Sequence, residues 1–329
     1  AGLEEAEIEG FSNWFALIQV SRVQARLEST DRSEVLDILR STYERAPRVR
    51  ESAQLYADQL YLSGDLIAAG RVYDRTLLPS FVPGSDGDEL RAQEHLRRAH
   101  AFAAIESDVQ AIHHFETAAR HSSTRANALR ALAEIQEKAQ RWEAAARFRE
   151  KLAEVLDNPL EASEALARSG TILHENLGRY HRAMILYRRA LALGLAEPVM
   201  LLRVLDAFET GEHHADALEV IDRLLTIELT GRTKAKLQIR RSRLLTASGE
   251  TREAILAVSQ AVELDPGDPE RVEILLDLLE KQVGDVDESI LELESIAENA
   301  LHDWAQPHLL RMADWYGSNG RLEKAIDIV

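Results

Sequence analysis

Apolar residues along this chain recur three and four positions apart, in segments of about a dozen residues broken by short polar turns. Leu3 to Leu27 reads as one or two amphipathic helices, and Thr30 and Asp31 are N-cap residues for a further helix from Val35 to Tyr43 that Pro47 stops. From Arg50 the segments pair into helical hairpins at about 50–79, 92–121, 126–157, 164–194, 198–229, 235–265 and 270–300, with a last one running from 306 to the end. A phrase of loop, alanine and aromatic returns every thirty-four to forty-two residues or so. It reads Gly64-Asp65-Leu66 with Ala69 and Tyr73, Gly178-Arg179-Tyr180 with Ala183, Tyr187 and Ala190, Gly249-Glu250-Thr251 with Ala254, Ala261 and Pro266, and Gly320-Arg321-Leu322 with Ala325.

The repeat carries its own packing logic. A small residue stands where two helices must approach: Ala69, Ala111, Ala145, Ala183, Ala217, Ala254 and Ala325. One turn on, Tyr73, Phe115, Tyr187, Ile221 and Val258 fill the gap on the same face. The third hairpin departs, with Arg149 in that place and Phe148 beside it. The turns carry Gly64, Gly178, Gly211, Gly249, Gly284 and Gly320, the residue a helix end wants for a left-handed conformation. The cluster from Pro79 to Asp88 reads as a surface insertion between two hairpins. The organisation predicted is an irregular helical cap or degenerate repeat over 1–49 and a solenoid over 50–329 whose last hairpin is truncated.

Composition sharpens this. Aromatics are 5%, and Ala, Leu, Glu and Arg, all strong helix formers, dominate the 329 residues. Lys and Arg number 39 against 56 Asp and Glu, a net charge of −17, which disfavours nucleic acid and anionic membranes as general partners. Cysteine is absent, which removes disulfides, thiolate catalysis and Cys-based zinc sites. No apolar run approaches a membrane span, and the opening Ala1-Gly2-Leu3-Glu4-Glu5 lacks the pattern of a signal peptide. The start without Met and the stop at Val329 inside a hairpin suggest a fragment of a longer protein.

The repeated residues resemble the tetratricopeptide repeat family over about residues 50–329. The best units are Leu237 to Pro266, closing on Leu264-Asp265-Pro266, and Gly178 to Leu191, reading GRYHRAMILYRRAL. There are departures: the bulky residue usual early in the first helix is missing at His95 and Gln238, and Ser289 replaces Ala. The resemblance implies an all-α, right-handed superhelical solenoid of antiparallel helix hairpins. In such a solenoid, first helices line a concave groove that typically holds a peptide or helix of a partner protein.

Candidate chemistry is thin. There is no glycine-rich phosphate loop and no recognisable nucleophile arrangement, so the chain reads as non-catalytic and without cofactor. The pairs His113-His114 and His213-His214 sit on adjacent positions that point about 100° apart on a helix, which suits surface histidines better than one metal ion. Asp86, Asp88 and Glu89 lack the spacing of a calcium loop. Trp142 reads as hairpin core, whereas Trp14, Trp304 and Trp315 are candidate anchors for a partner.

The sharpest pattern is an arginine column. Arg97, Arg203, Arg240 and Arg311 occupy one place in the first helices of their hairpins; Arg130 and Arg168 stand one residue earlier, and Arg243 one turn after Arg240. Two readings stand side by side. The guanidinium forks are carboxylate receptors for an acidic partner peptide, or they are intrahelical pairs, as Arg203 with Asp206, Arg130 with Glu134 and Arg311 with Asp314. Arg240 and Arg243 have no acid within the following turn and favour the first reading. The function expected is a protein-protein interaction scaffold. The alternative is a structural spacer or self-assembly module that forms homo-oligomers through its repeat ends.

Overall fold

The computed structural model describes residues 2–24, 32–76, 89–265, 269–281, 306–318 and 320–328. These residues are helical throughout apart from turns, and they divide into two compact units, 1–177 and 178–329. The first unit holds α1 (Gly2–Gln24), α2 (Arg32–Arg45), α3 (Arg50–Leu62), α4 (Leu66–Thr76), α5 (Glu89–Ala104), α6 (Asp108–Ala118), α7 (Ser122–Lys138), α8 (Trp142–Val155) and α9 (Pro159–Thr171). A single π-helical turn, Ile172–Asn176, extends α9. The second unit holds α10 (Tyr180–Ala192), α11 (Pro198–Thr210), α12 (His214–Thr226), α13 (Gly231–Ala247), α14 (Thr251–Leu264), α15 (Pro269–Lys281), α16 (Gln306–Ser318) and α17 (Leu322–Ile328). Within each unit neighbouring helices pack as antiparallel hairpins, α3 on α4, α5 on α6 and α7 on α8, then α11 on α12, α13 on α14 and α16 on α17.

The small-then-bulky rule of the sequence is the packing rule of the hairpins. Ala69, Ala111, Ala145, Ala183, Ala217 and Ala254 are fully buried, and Tyr73, Phe115, Tyr187, Ile221 and Val258 beside them are buried. A methyl at the closest approach lets the two backbones meet, and the larger side chain one turn on fills the diverging space. Phe148 and Arg149 are both buried in the third hairpin, with the Arg149 Nε donating to Glu137 at 2.7 Å on the preceding helix. A glycine permits one further close approach. A Cβ added at Gly70 of α4 would stand 2.4 Å from the Ala101 carbonyl oxygen of α5.

One turn geometry closes six of the hairpins. Asp65 N–H donates to Leu60 and Gly64 N–H to Tyr61; the same pair of bonds recurs at Ser107/Glu106, Arg141/Gln140, His213/Glu212, Glu250/Gly249 and Arg321/Gly320. This is the Schellman arrangement, which needs one left-handed residue. Glycine supplies it at positions 64, 249 and 320, but Glu106, Gln140 and Glu212 take positive φ of 58°, 56° and 57°. Gly211, expected in that role, has φ −85°, because it stands one position before the residue that reverses the chain. Gly284, Ser289, Trp304, the caps Thr30 and Asp31, Pro266 and the Pro79–Asp88 insertion lie outside the described residues.

Where a bulky core residue is missing, polar pairs take its place. Gln238 is buried and its Nε2 donates to Gln260 of α14 at 2.6 Å. His95 and His114 share a hydrogen bond between their Nδ1 atoms at 2.9 Å. His114 therefore departs from the surface reading: it is buried and stacked on Phe102, while His113 is exposed. A one-residue step on a helix turns the side chain by about 100°, which separates the two rings into core and solvent.

Candidate interaction face

The first helices of successive hairpins carry the arginine column, and the structure shows what each described guanidinium meets. Arg97 of α5 lies 3.3 Å from the Asp58 carboxylate of α3, the first helix of the preceding hairpin. Asp58 also accepts from the Tyr73 hydroxyl at 2.5 Å. Desolvation and the Asp58 charge push the Tyr73 phenol well above its ordinary pKa. Arg130 of α7 donates to Glu161 of α9 at 2.9 Å. Arg240 of α13 reaches back to α11, donating from Nε to Glu209 at 2.9 Å and from Nη2 to Glu209 at 2.6 Å and Asp206 at 2.5 Å. Burial opposes its charge, but the bonds to Glu209 and Asp206 outweigh that and raise its pKa.

The pairs of Arg97, Arg130 and Arg240 thus run between hairpins. Asp206 serves Arg240 thirty-four residues on, and Arg130 reaches Glu161 rather than only its own helix. Arg240, which has no acid in its own following turn, is held by two acids of its neighbour. Arg168, Arg203 and Arg243 are exposed. Arg311 lies in α16, and its side chain is outside the described residues.

One ion pair also ties two second helices together: Arg188 of α10 forks onto Asp216 of α12, with Nη2 to Oδ2 at 2.7 Å. Exposed pairs of this kind contribute about 0.2–1 kcal/mol each, so they set register more than stability. In the first unit Arg98 is buried, pairs with Glu94 and lies over the Tyr73 ring at 5.6 Å, and Gln54 donates to the same Glu94 at 2.8 Å.

The other residues singled out from sequence divide. Trp14 is 61% exposed, whereas Trp142 is half-buried and Trp315 packs on the core of the second unit. His213 is half-buried at the N-terminus of α12, its ring edge-on to Phe208. Among the described residues no group of three or more His, Asp or Glu is arranged to hold a metal ion, and no helix is long and apolar enough to cross a membrane.

Stacked helical hairpins with a face of exposed and ion-paired side chains define a helical-repeat fold. The tetratricopeptide repeat model matches residues 128–163, from α7 to the start of α9, so this segment carries a tetratricopeptide repeat. No curated protein matches the sequence. Among solved structures, the C-terminal part of a TPR repeat-containing protein from Cytophaga hutchinsonii is similar at 12% identity, over 79% of this chain and 98% of that one, with a TM-score of 0.46. PilF of Pseudomonas aeruginosa is similar at 19% identity over 69% and 99%, TM-score 0.38. YrrB, a TPR protein with an unusual peptide-binding site, is similar at 14% identity over 56% and 91%, TM-score 0.39.

Proposed function

We propose that this protein is a non-catalytic scaffold that binds a peptide or helix of a partner protein along the exposed face of its first helices. The observation that carries this is the arginine column itself. Arg97, Arg130 and Arg240 clasp neighbouring hairpins through acids, Arg203 is exposed and has contacts of its own, and Arg168 and Arg243 stand exposed along the same helices. The clasped residues keep successive first helices in register, and the exposed ones meet the partner. Arg311 belongs to the same register in α16.

The test is a photo-crosslinking residue placed at Val199 of α11, which is 60% exposed, beside one at Val109 of α6, which is 80% exposed. In extract of the source cell, specific adducts at Val199 and not at Val109 are expected. Adducts only at Val109 would refute this face as the partner site. A second reading is self-assembly, favoured by Leu322 and Ile326 of α17, which are 67% and 75% exposed. A monomer across a wide concentration range in sedimentation velocity removes it.

A further inference from the structure

Among the described helices α13 carries the largest excess of positive charge, in a chain that is acidic as a whole. Its sequence, GRTKAKLQIRRSRLLTA, holds Arg232, Lys234, Lys236, Arg240, Arg241 and Arg243 and no acid, in a protein of net charge −17. The spacing of Arg232, Lys236, Arg240 and Arg243 places all four within about 80° of one another around the helix axis. They form a stripe about 16 Å long at 1.5 Å per residue.

The structure separates these cations by what they already do. Arg240 is tied to Glu209 and Asp206, and Arg241, on the opposite face, to Asp222. Arg232, Lys236 and Arg243 are exposed, and none of the three has an ion-pair partner among the described residues. The acids of the following first helix, Glu270, Glu273 and Asp277 of α15, close no ion pair on them there.

Stability does not explain this placement. Arg232 and Lys234 lie in the first turn of α13, where the helix dipole favours acids and a cation is unfavourable. The helix already has a working cap, Thr230, whose hydroxyl accepts from the Thr233 N–H. Cations held against the local electrostatic preference, exposed and aligned, are what a site for a negative chain requires.

We infer that the α13 stripe of Arg232, Lys236 and Arg243 is the docking site for an acidic segment of a partner protein, its carboxylates spaced along about 16 Å. This deepens the scaffold reading above and rests on it. Charge complementarity selects the occupant: the stripe is a cationic strip on a polyanion, so an acidic segment is attracted to this helix and repelled from most of the remaining surface. An extended chain covers that length in about five residues. Arg243 and Arg232 supply planar forks for carboxylates and Lys236 a point charge between them.

The experiment is fluorescence anisotropy of a fluorescein-labelled glutamate-rich peptide against the full chain. A glycine-serine peptide and single-stranded DNA serve as controls. Lys236→Glu/Arg243→Glu is compared with Lys138→Glu/Lys151→Glu, which makes the same charge change at exposed sites of the first unit. The glutamate-rich peptide should bind wild type with an affinity that falls as salt rises. The α13 variant should weaken it by about tenfold or more while the control variant changes it little.

Glu is a good helix former and both substituted side chains are exposed, so Lys236→Glu and Arg243→Glu are not expected to impair folding of α13. Circular dichroism of the variants confirms that point. No binding by wild type, equal loss in both variants, or equal binding of the neutral peptide overturns the proposal. So does DNA binding as tight as the peptide, or a self-associated wild type that the α13 variant makes monomeric. If Val199 adducts persist while any of these results is found, the scaffold reading stands and only the acidic partner falls.

Discussion

Acid should loosen the α5–α6 hairpin through one side chain, His114. Its ring lies stacked on Phe102, centroids 5.4 Å apart and planes within 3°, and is buried. Its Nδ1 shares one proton with the His95 Nδ1 at 2.9 Å. A second proton would set N–H against N–H and leave a buried cation beside Arg98. Burial, then the neighbouring His95, Arg98 and His113, hold the pKa of His114 down at about 3. His100, on the same helix as His95, is also lowered, chiefly by burial and partly offset by Glu134.

A lowered folded-state pKa means that the unfolded chain binds the proton first. The stability held by neutral His114 is present above pH 6.5 and is lost as pH falls from there toward 3. At pH 5 the loss is about 2 kcal/mol, since each unit below the unfolded value removes up to ~1.4 kcal/mol. Urea unfolding followed by circular dichroism at pH 7.5 and pH 5, for wild type and for His114→Gln, measures it. Gln stays neutral and retains an amide for His95. Carboxylates contribute equally to both proteins, so the wild type should lose about 2 kcal/mol more than the variant. Equal losses in the two proteins would refute the argument.

Three further outcomes follow from packing and turn geometry. Gly70→Ala should destabilise the first unit by about 1–3 kcal/mol, because the new methyl meets the Ala101 carbonyl, and urea midpoints read it. Gln140→Gly should raise stability by about 0.5–1 kcal/mol in the same assay by relieving a left-handed glutamine at φ 56°. Arg149 is buried on Glu137 with its Nη2 unsatisfied, so Arg149→Met with Glu137→Gln should cost under about 1 kcal/mol. Glu137→Ala alone should cost about 3 kcal/mol or more, because it strands the buried guanidinium; thermal unfolding of both variants separates the two cases.

Much of the repeat was legible before the structure, because the hairpin is a local object. Ala69, Ala111, Ala145, Ala183, Ala217 and Ala254 announced their own burial, since only a small side chain fits where two helices touch. The partners of Arg240 were not legible: Asp206 and Glu209 lie a full repeat earlier, and contact across that distance is set by how hairpins stack. The basic character of α13 was available in the sequence as a helix without an acid. That character belongs to a whole helix face, and a column of one arginine per repeat does not display it.

The sequence by itself determined the period, the helices and the apolar faces of the hairpins, since periodicity and side-chain volume act over one or two turns. Only the tertiary structure decided which cations are clasped and which are left exposed, that His114 is core while His113 is solvent, and that Glu106, Gln140 and Glu212 are left-handed without being glycine. Each of those depends on a neighbour supplied from another helix or on a turn closed by bonds from the preceding helix. Such a partner is not written into the residue itself.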